Sequence, residues 1–265
     1  MGVLMYRKST RANHSSIALC ITLVYITSLI IQPVALSESN PSYVDFAKQL
    51  PVLDFGPTAP VIISPGECFT STLTVNNEFK HIYMWSIQGE ELRLLNYTLT
   101  FEKVNDSTLR ICLPEEAVNG VYDLELVSSN IQYSVPRSIW VVKQLDDRVR
   151  IVVMSDLHFG AGPVNITTGD INRYSAAILA ASLNPTLILW AGDITDQASE
   201  SETQLAQTYR YIMLYSYPVL GVPGNHDHFG EYYKRYLGPT RWVRVIGDRI
   251  LIVGIFTNPY FMKTM

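Results

Sequence analysis

The chain is expected to be multi-domain, an all-β sandwich followed by an α/β domain, on three observations. Between residues 60 and 146, short runs of alternating apolar and polar residues are separated by turn formers such as Pro65-Gly66, Asn76-Asn77 and Asn119-Gly120. From Val149 the period changes, and apolar runs alternate with stretches of helical spacing. Three of these apolar runs, at residues 151–154, 187–190 and 217–220, lead straight into side chains that bear oxygen and nitrogen.

The elements follow in order. The first sixteen residues carry Arg7, Lys8 and Arg11 and no acid, and an uncharged apolar run extends from Ile17 to about Leu36. Basic residues ahead of an apolar stretch orient the chain for export. Pro33 and the small residues of Ala35-Leu36-Ser37 favour a cleaved signal peptide over residues 1–37, whereas a run of this length also suits a retained membrane anchor. The mature N-terminus is expected near Leu36 or Ser37 if the leader is cut. Loss of those three basic residues would take the formal charge from −4 to −7. An acidic exported chain lacks the electrostatic footprint of a nucleic-acid binder, so no such partner is indicated. Asn96-Tyr97-Thr98, Asn105-Asp106-Ser107 and Asn165-Ile166-Thr167 match the N-glycosylation acceptor pattern, which export makes usable.

Residues 38–59, with Pro41 and Pro51, read as a linker. The β domain, residues 60–146, is expected to hold strands near 61–63, 68–75, 81–88, 92–103, 108–113, 120–128 and 134–142. Seven short alternating strands suggest an immunoglobulin-like or fibronectin-like sandwich. Cys68 and Cys112 both carry the parity of the outer face. They would meet as a disulfide if their strands pair and stay as two thiols if not. Cys20 sits in the leader as an apolar filler. Trp85 and Trp140 fit core positions, and His81 a surface one.

Residues 147–265 carry the chemistry. A helix is expected over 171–183, with Ile178, Leu179 and Leu183 at helical spacing and Asn184-Pro185 as its stop. A second is expected over 202–215, with Leu205, Tyr209, Ile212 and Met213 on one face. Strand, helix, strand, helix, strand implies right-handed crossovers and a parallel sheet. Residues 242–246 and 249–255, joined through Gly247-Asp248, read as a hairpin. An open parallel sheet places its ligands at the carboxyl ends of its strands. There stand Asp156-Leu157-His158, then Gly192-Asp193-Ile194-Thr195-Asp196, then Gly224-Asn225-His226-Asp227. Taken singly, such residues are ordinary helix caps and turns. The ordered set is not ordinary.

Together these three motifs resemble the calcineurin-like metallophosphoesterase family, from about Arg148 onward. The layout, with a β sandwich ahead of the metal domain, is similar to that of purple acid phosphatases. The resemblance implies an α/β/β/α-type domain that hydrolyses phosphate mono- or diesters with water activated by two divalent ions (manganese, iron or zinc). It assigns Asp156 and His158 to the first ion, Asp193 to a bridge between the two, and Asn225 to the second. His226 would be the catalytic histidine beside the substrate phosphate, while Asp196 and Asp227 would stand behind the ligands and orient them. His228 takes no role from the family.

One departure stands out. The family completes its site with three downstream histidines, and this chain has none after His228. The resemblance therefore implies an incomplete domain that holds at most one ion well, with one face open to solvent. Three accounts stand open: a fragment of a larger phosphoesterase, one of two polypeptides that together complete the site, or a non-catalytic exported binding or structural protein.

Overall fold

A computed structural model describes residues 50–88, 91–160, 168–196, 202–227 and 232–256. All of them fall within one compact unit, Tyr43–Met265. The leader over 1–37, Cys20, the Asn165-Ile166-Thr167 triplet and His228 lie outside the described residues. No helix among the described residues is long and apolar enough to cross a membrane.

The first half is built from β1 (Val61–Ile63), β2 (Cys68–Thr72), β3 (Phe79–Gln88), β4 (Arg93–Asn105), β5 (Thr108–Cys112), β6 (Gly120–Ser128) and β7 (Gln132–Val141). They hydrogen-bond as one seven-stranded sheet in the order β1-β7-β6-β3-β4-β5-β2. Only β1 runs parallel to its neighbour β7. The long β4 gives the sheet its curl: it pairs with β3 as far as Leu99 and with β5 from Thr100 onward. Ile82 and Met84 of β3, Leu109 and Ile111 of β5 and Leu124 and Leu126 of β6 therefore share one core inside a nearly closed sheet. Each such side chain contributes roughly 1.5–3 kcal/mol by leaving water. Cys68 and Cys112 lie directly opposite each other on β2 and β5 and are joined as a disulfide.

Two sequence expectations change here. Trp85 is not in the core, because Ile82, Met84 and buried Ser86 take the inner face of β3 and leave His81, Tyr83 and Trp85 to the outer one. Trp140 is buried. The described part of the expected linker is also packed. Leu50, Val52 and Phe55 enter the sheet's core, apolar side chains that the polar, proline-bearing average of the stretch conceals.

The second half contains β8 (Ile151–Met154), α1 (Thr168–Ser182), β9 (Leu187–Ala191), α2 (Glu202–Leu214), β10 (Val219–Val222), α3 (Tyr232–Tyr236), β11 (Arg241–Ile246) and β12 (Ile250–Ile255). Strands β10, β9 and β8 form a parallel sheet in that order. One face, with Val152, Ile188, Trp190 and Val219, packs on the helices through Ala177, Ala180, Leu205, Tyr209 and Ile212. The other face, with Leu187, Leu189, Leu220 and Val222, is covered by Trp242, Ile246, Ile250 and Ile252 of the β11–β12 hairpin.

The apolar stripe expected to bury α1 points the other way. Ile178 and Leu179 are 66% and 63% exposed, and Leu183 is exposed as well. The helix lies on the sheet through its alanines, whose small size lets the backbone approach. Periodicity had marked a stripe without saying which side has a cover. Met213 of α2 is exposed for the same reason.

Residues 50–59 join the two halves. The Gly221 N–H donates to the Thr58 carbonyl at 2.7 Å, which occupies the free edge of β10. Thr58 Oγ1 donates to the Leu237 carbonyl at 2.9 Å and lies 3.0 Å from the Tyr233 hydroxyl. Arg244 donates to the carbonyls of Pro60, Ala59 and Asp54.

Candidate metal centre

Three loops leave the carboxyl ends of β8, β9 and β10, and main-chain bonds tie the first to the second. The Asp156 N–H donates to the Gly192 carbonyl (3.2 Å), His158 N–H to Asp193 (3.0 Å) and Phe159 N–H to Ile194 (2.8 Å). Phe159 and Thr195 make a parallel bridge. Gly192, at φ 90°, lets the second loop meet the third: a Cβ placed there would sit 3.1 Å from the Cα of Gly224. A Cβ on Gly224 would overlap the Asp193 carboxylate, so both turns need glycine.

Asp227 locks the second loop to the third. Its carboxylate is buried and accepts from the N–H groups of Ile194 (3.0 Å), Thr195 (2.6 Å) and Gly224 (2.8 Å) and from Thr195 Oγ1 (2.7 Å). Burial raises its carboxyl above the ordinary range, while these four bonds work in the opposite direction. Sequence reasoning placed Asp227 behind the ligands but could not see that it clasps backbone. It missed Thr195 altogether, since a buried threonine has no signature in a single sequence.

Within this frame, Asp156, His158 and Asp193 each present a ligand atom, all within 4.8 Å of one another. All three have left-handed backbones, with φ of 55°, 45° and 48°. That conformation costs roughly 1–2 kcal/mol for a residue with a Cβ and persists where surrounding structure imposes it. Here the bonds from Asp156 and His158 to the second loop impose it. Three left-handed residues that also converge as carboxylates and imidazole point to a site rather than to incidental turns.

Asp196 stands behind His158, with Oδ1 3.1 Å from Nδ1. A carboxylate that accepts at Nδ1 fixes the tautomer and leaves Nε2 with a lone pair for a cation. His226 Nδ1 lies 2.7 Å from the Asp196 carbonyl oxygen, which can only accept, so Nδ1 carries the proton and Nε2 is the working nitrogen. The two rings meet edge to face with centroids 4.6 Å apart. His226 N–H also donates to Asp193 Oδ1 at 3.0 Å, which holds one oxygen of that carboxylate in place. Asp196, His158 and His226 form a second group with donor atoms within 4.8 Å. Asn225, between Gly224 and His226, is exposed at the mouth of the same loop.

A donor set of carboxylate oxygens and imidazole nitrogens fits a divalent cation of the manganese, iron or zinc kind. Asp156, His158 and Asp193 are the residues that would hold it.

Comparison with known proteins agrees over the second half. The model of the calcineurin-like phosphoesterase family matches residues 149–263. No curated protein matches the chain in sequence. Among solved structures, the SGBP-B protein of the Bacteroides ovatus mixed-linkage glucan utilization locus, in complex with a mixed-linkage heptasaccharide, is 18% identical over 37% of this chain and 23% of its own, with a TM-score of 0.23. Amylomaltase from Corynebacterium glutamicum is 13% identical over 67% of this chain and 24% of its own, also with a TM-score of 0.23. The chain spans about a quarter of the length of either, and likeness at that level carries no argument about fold or function. The family match and the Asp–His groups together support a metal-dependent phosphoesterase domain over residues 149–263.

Proposed function

We propose that the chain hydrolyses phosphate mono- or diesters outside the cell or at its surface, using the site formed by Asp156, His158, Asp193, Asn225 and His226. The observation that carries this reading is the convergence of Asp156, His158 and Asp193, all with left-handed backbones. A bound divalent ion would supply an acidified water and neutralise charge on phosphate oxygens. The chain's own residues do the rest. Asp156, Asp193 and His158 Nε2 would hold this cation, Asn225 would offer a neutral amide oxygen to a second ion sharing Asp193, and Asp196 keeps His158 in its ligating tautomer. His226, with its Nδ1 proton committed to the Asp196 carbonyl, keeps Nε2 as the nitrogen that would pass a proton to a leaving alkoxide when the ring is in its imidazolium form. Asp227 acts on none of these atoms and keeps the loops in register.

The export reading draws on the leader sequence and on the Cys68–Cys112 disulfide, which persists in oxidising compartments. The β domain serves as a spacer or docking module. A second polypeptide is proposed to cover the apolar residues left open on the hairpin, Val243, Val245, Leu251 and Val253 among them. These same residues give the alternative, a non-catalytic exported binding protein, its support.

Turnover of a generic aryl phosphate with manganese separates the two readings. Hydrolysis by the wild-type chain that falls more than about 100-fold in Asp193→Asn, beyond the usual loss for a residue behind a ligand, supports the enzyme. Equal rates for the two proteins favour the binding protein.

A further inference from the structure

The outer face of β3 and β4 carries an arrangement that the phosphoesterase reading leaves unused. His81, Tyr83, Trp85 and Ile87 point outward from β3, opposite Leu94, Asn96 and Thr98 of β4. The register pairs Trp85 with Asn96, Tyr83 with Thr98 and Ile87 with Leu94. The indole N–H of Trp85 donates to Glu125 Oε1 at 2.9 Å, and Glu125 Oε2 accepts from Gln132 at 2.8 Å. The polar edge of the ring is thus satisfied, and its remaining exposed surface is apolar. Ile87 and Leu94 beside it are 55% and 62% exposed. An acceptor triplet, Asn96-Tyr97-Thr98, therefore presents its asparagine and threonine on the solvent side of an apolar and aromatic strip.

We propose that Asn96 carries an N-linked glycan whose first sugar packs on Trp85. Directly opposed residues have Cβ atoms about 4.5–5.5 Å apart, so a ring on the Asn96 amide reaches the indole without distorting the sheet. The C–H face of a pyranose meets the negative face of the indole, and the sugar covers Trp85, Ile87 and Leu94. In the modification, Asn96 Nδ2 bonds to the anomeric carbon of a lipid-phosphate-linked oligosaccharide. The bond from that carbon to the phosphate oxygen breaks, the phosphate leaves with the electron pair, and the amide proton passes to base. The other described triplet is built differently. Asn105 Oδ1 accepts from Ser107 N–H and Oγ within its own turn.

The proposal rests on the export reading, and the test keeps the two apart. Full-length chain is produced in cells whose export pathway N-glycosylates, fractionated, and treated with a peptide N-glycosidase in heavy-oxygen water. Heavy-oxygen aspartate at position 96 is the expected result. Unmodified Asn96 overturns the proposal. Finding such chain outside the cell leaves export standing, and finding it in the cytosol removes export as well. Packing is read from thermal unfolding of Trp85→Leu with and without Thr98→Ala, which removes the acceptor pattern. The Trp85 substitution is expected to lower Tm by about 2–4 °C more when the glycan is present. The same loss in both backgrounds overturns the contact.

Discussion

The two halves of the molecule solve the problem of burial differently. The seven-stranded sheet curls until β3, β5 and β6 enclose one core, and Ile82, Met84, Leu124 and Leu126 are fully buried. The α/β half lays three strands between helices and a two-stranded hairpin that reaches β9 and β10 but leaves Val153 of β8 exposed. The outward residues of the hairpin and of α1 have no cover among the described residues. The open half nevertheless holds the more constrained loops. Its order there comes from hydrogen bonds converging on one buried carboxylate, where the β half relies on enclosed apolar area. Loops can thus be fixed locally even where the described residues leave part of the surrounding surface uncovered.

The largest expected effect tests that claim. Asp227→Ala strips four donors of their acceptor, three of them backbone N–H groups. Unfolding in urea should show a loss of about 4 kcal/mol or more. A loss under about 1 kcal/mol would mean that the loops do not depend on the clasp. In the β half, Ile82→Ala should cost about 2–5 kcal/mol by the same measurement, as a cavity in an enclosed core.

Asp123 sharpens the contrast from within the β half. It is buried at a bulge between β6 and β7 and accepts the Arg137 N–H at 2.8 Å. Burial pushes its carboxyl up to about 6, against the Arg137 bond and charge, while Glu125 adds to the rise. A folded-state pKa above the unfolded one stabilises at low pH, and that contribution is lost as pH rises through about 6. Between about pH 4 and pH 7 the wild type should lose about 3 kcal/mol relative to Asp123→Asn, which keeps the acceptor oxygen. Parallel pH profiles would show that Asp123 is not the titrating group. The smallest effect belongs to the open helix face, where Leu179→Gln should change stability by no more than about 0.5 kcal/mol. A cost near that of Ile82→Ala would mean that α1 is covered.

What the sequence disclosed follows the same division. Val61–Ile63, an apolar run stopped by Pro65-Gly66, and Gly120–Ser128, where polar and apolar residues alternate in part, were readable because turn residues bound them. The pairing order was not, since β1 beside β7 and β2 beside β5 are contacts between distant residues that no local pattern encodes. Ile178 and Leu179 show the limit of periodicity, which finds an apolar face without finding its neighbour. At the candidate site, Asp156, His158, Asp193, Asn225 and His226 could be singled out because each stands just beyond an apolar run, and Asp156, His158 and Asp193 do lie together in the fold. The left-handed backbones, the Gly192–Gly224 approach and the grip of Asp227 on Thr195 were not, because they arise only when three separate loops meet.

The loops after β8 and β9 bring Asp156, His158 and Asp193 together as a candidate cation pocket. Calorimetric titration of the metal-free chain with manganese tests it most directly, against Asp193→Asn as the comparison. One well-held ion is expected in the wild type, with an affinity at least about tenfold weaker in the variant. Unchanged affinity in Asp193→Asn, or two tightly held ions in the wild type, would contradict it.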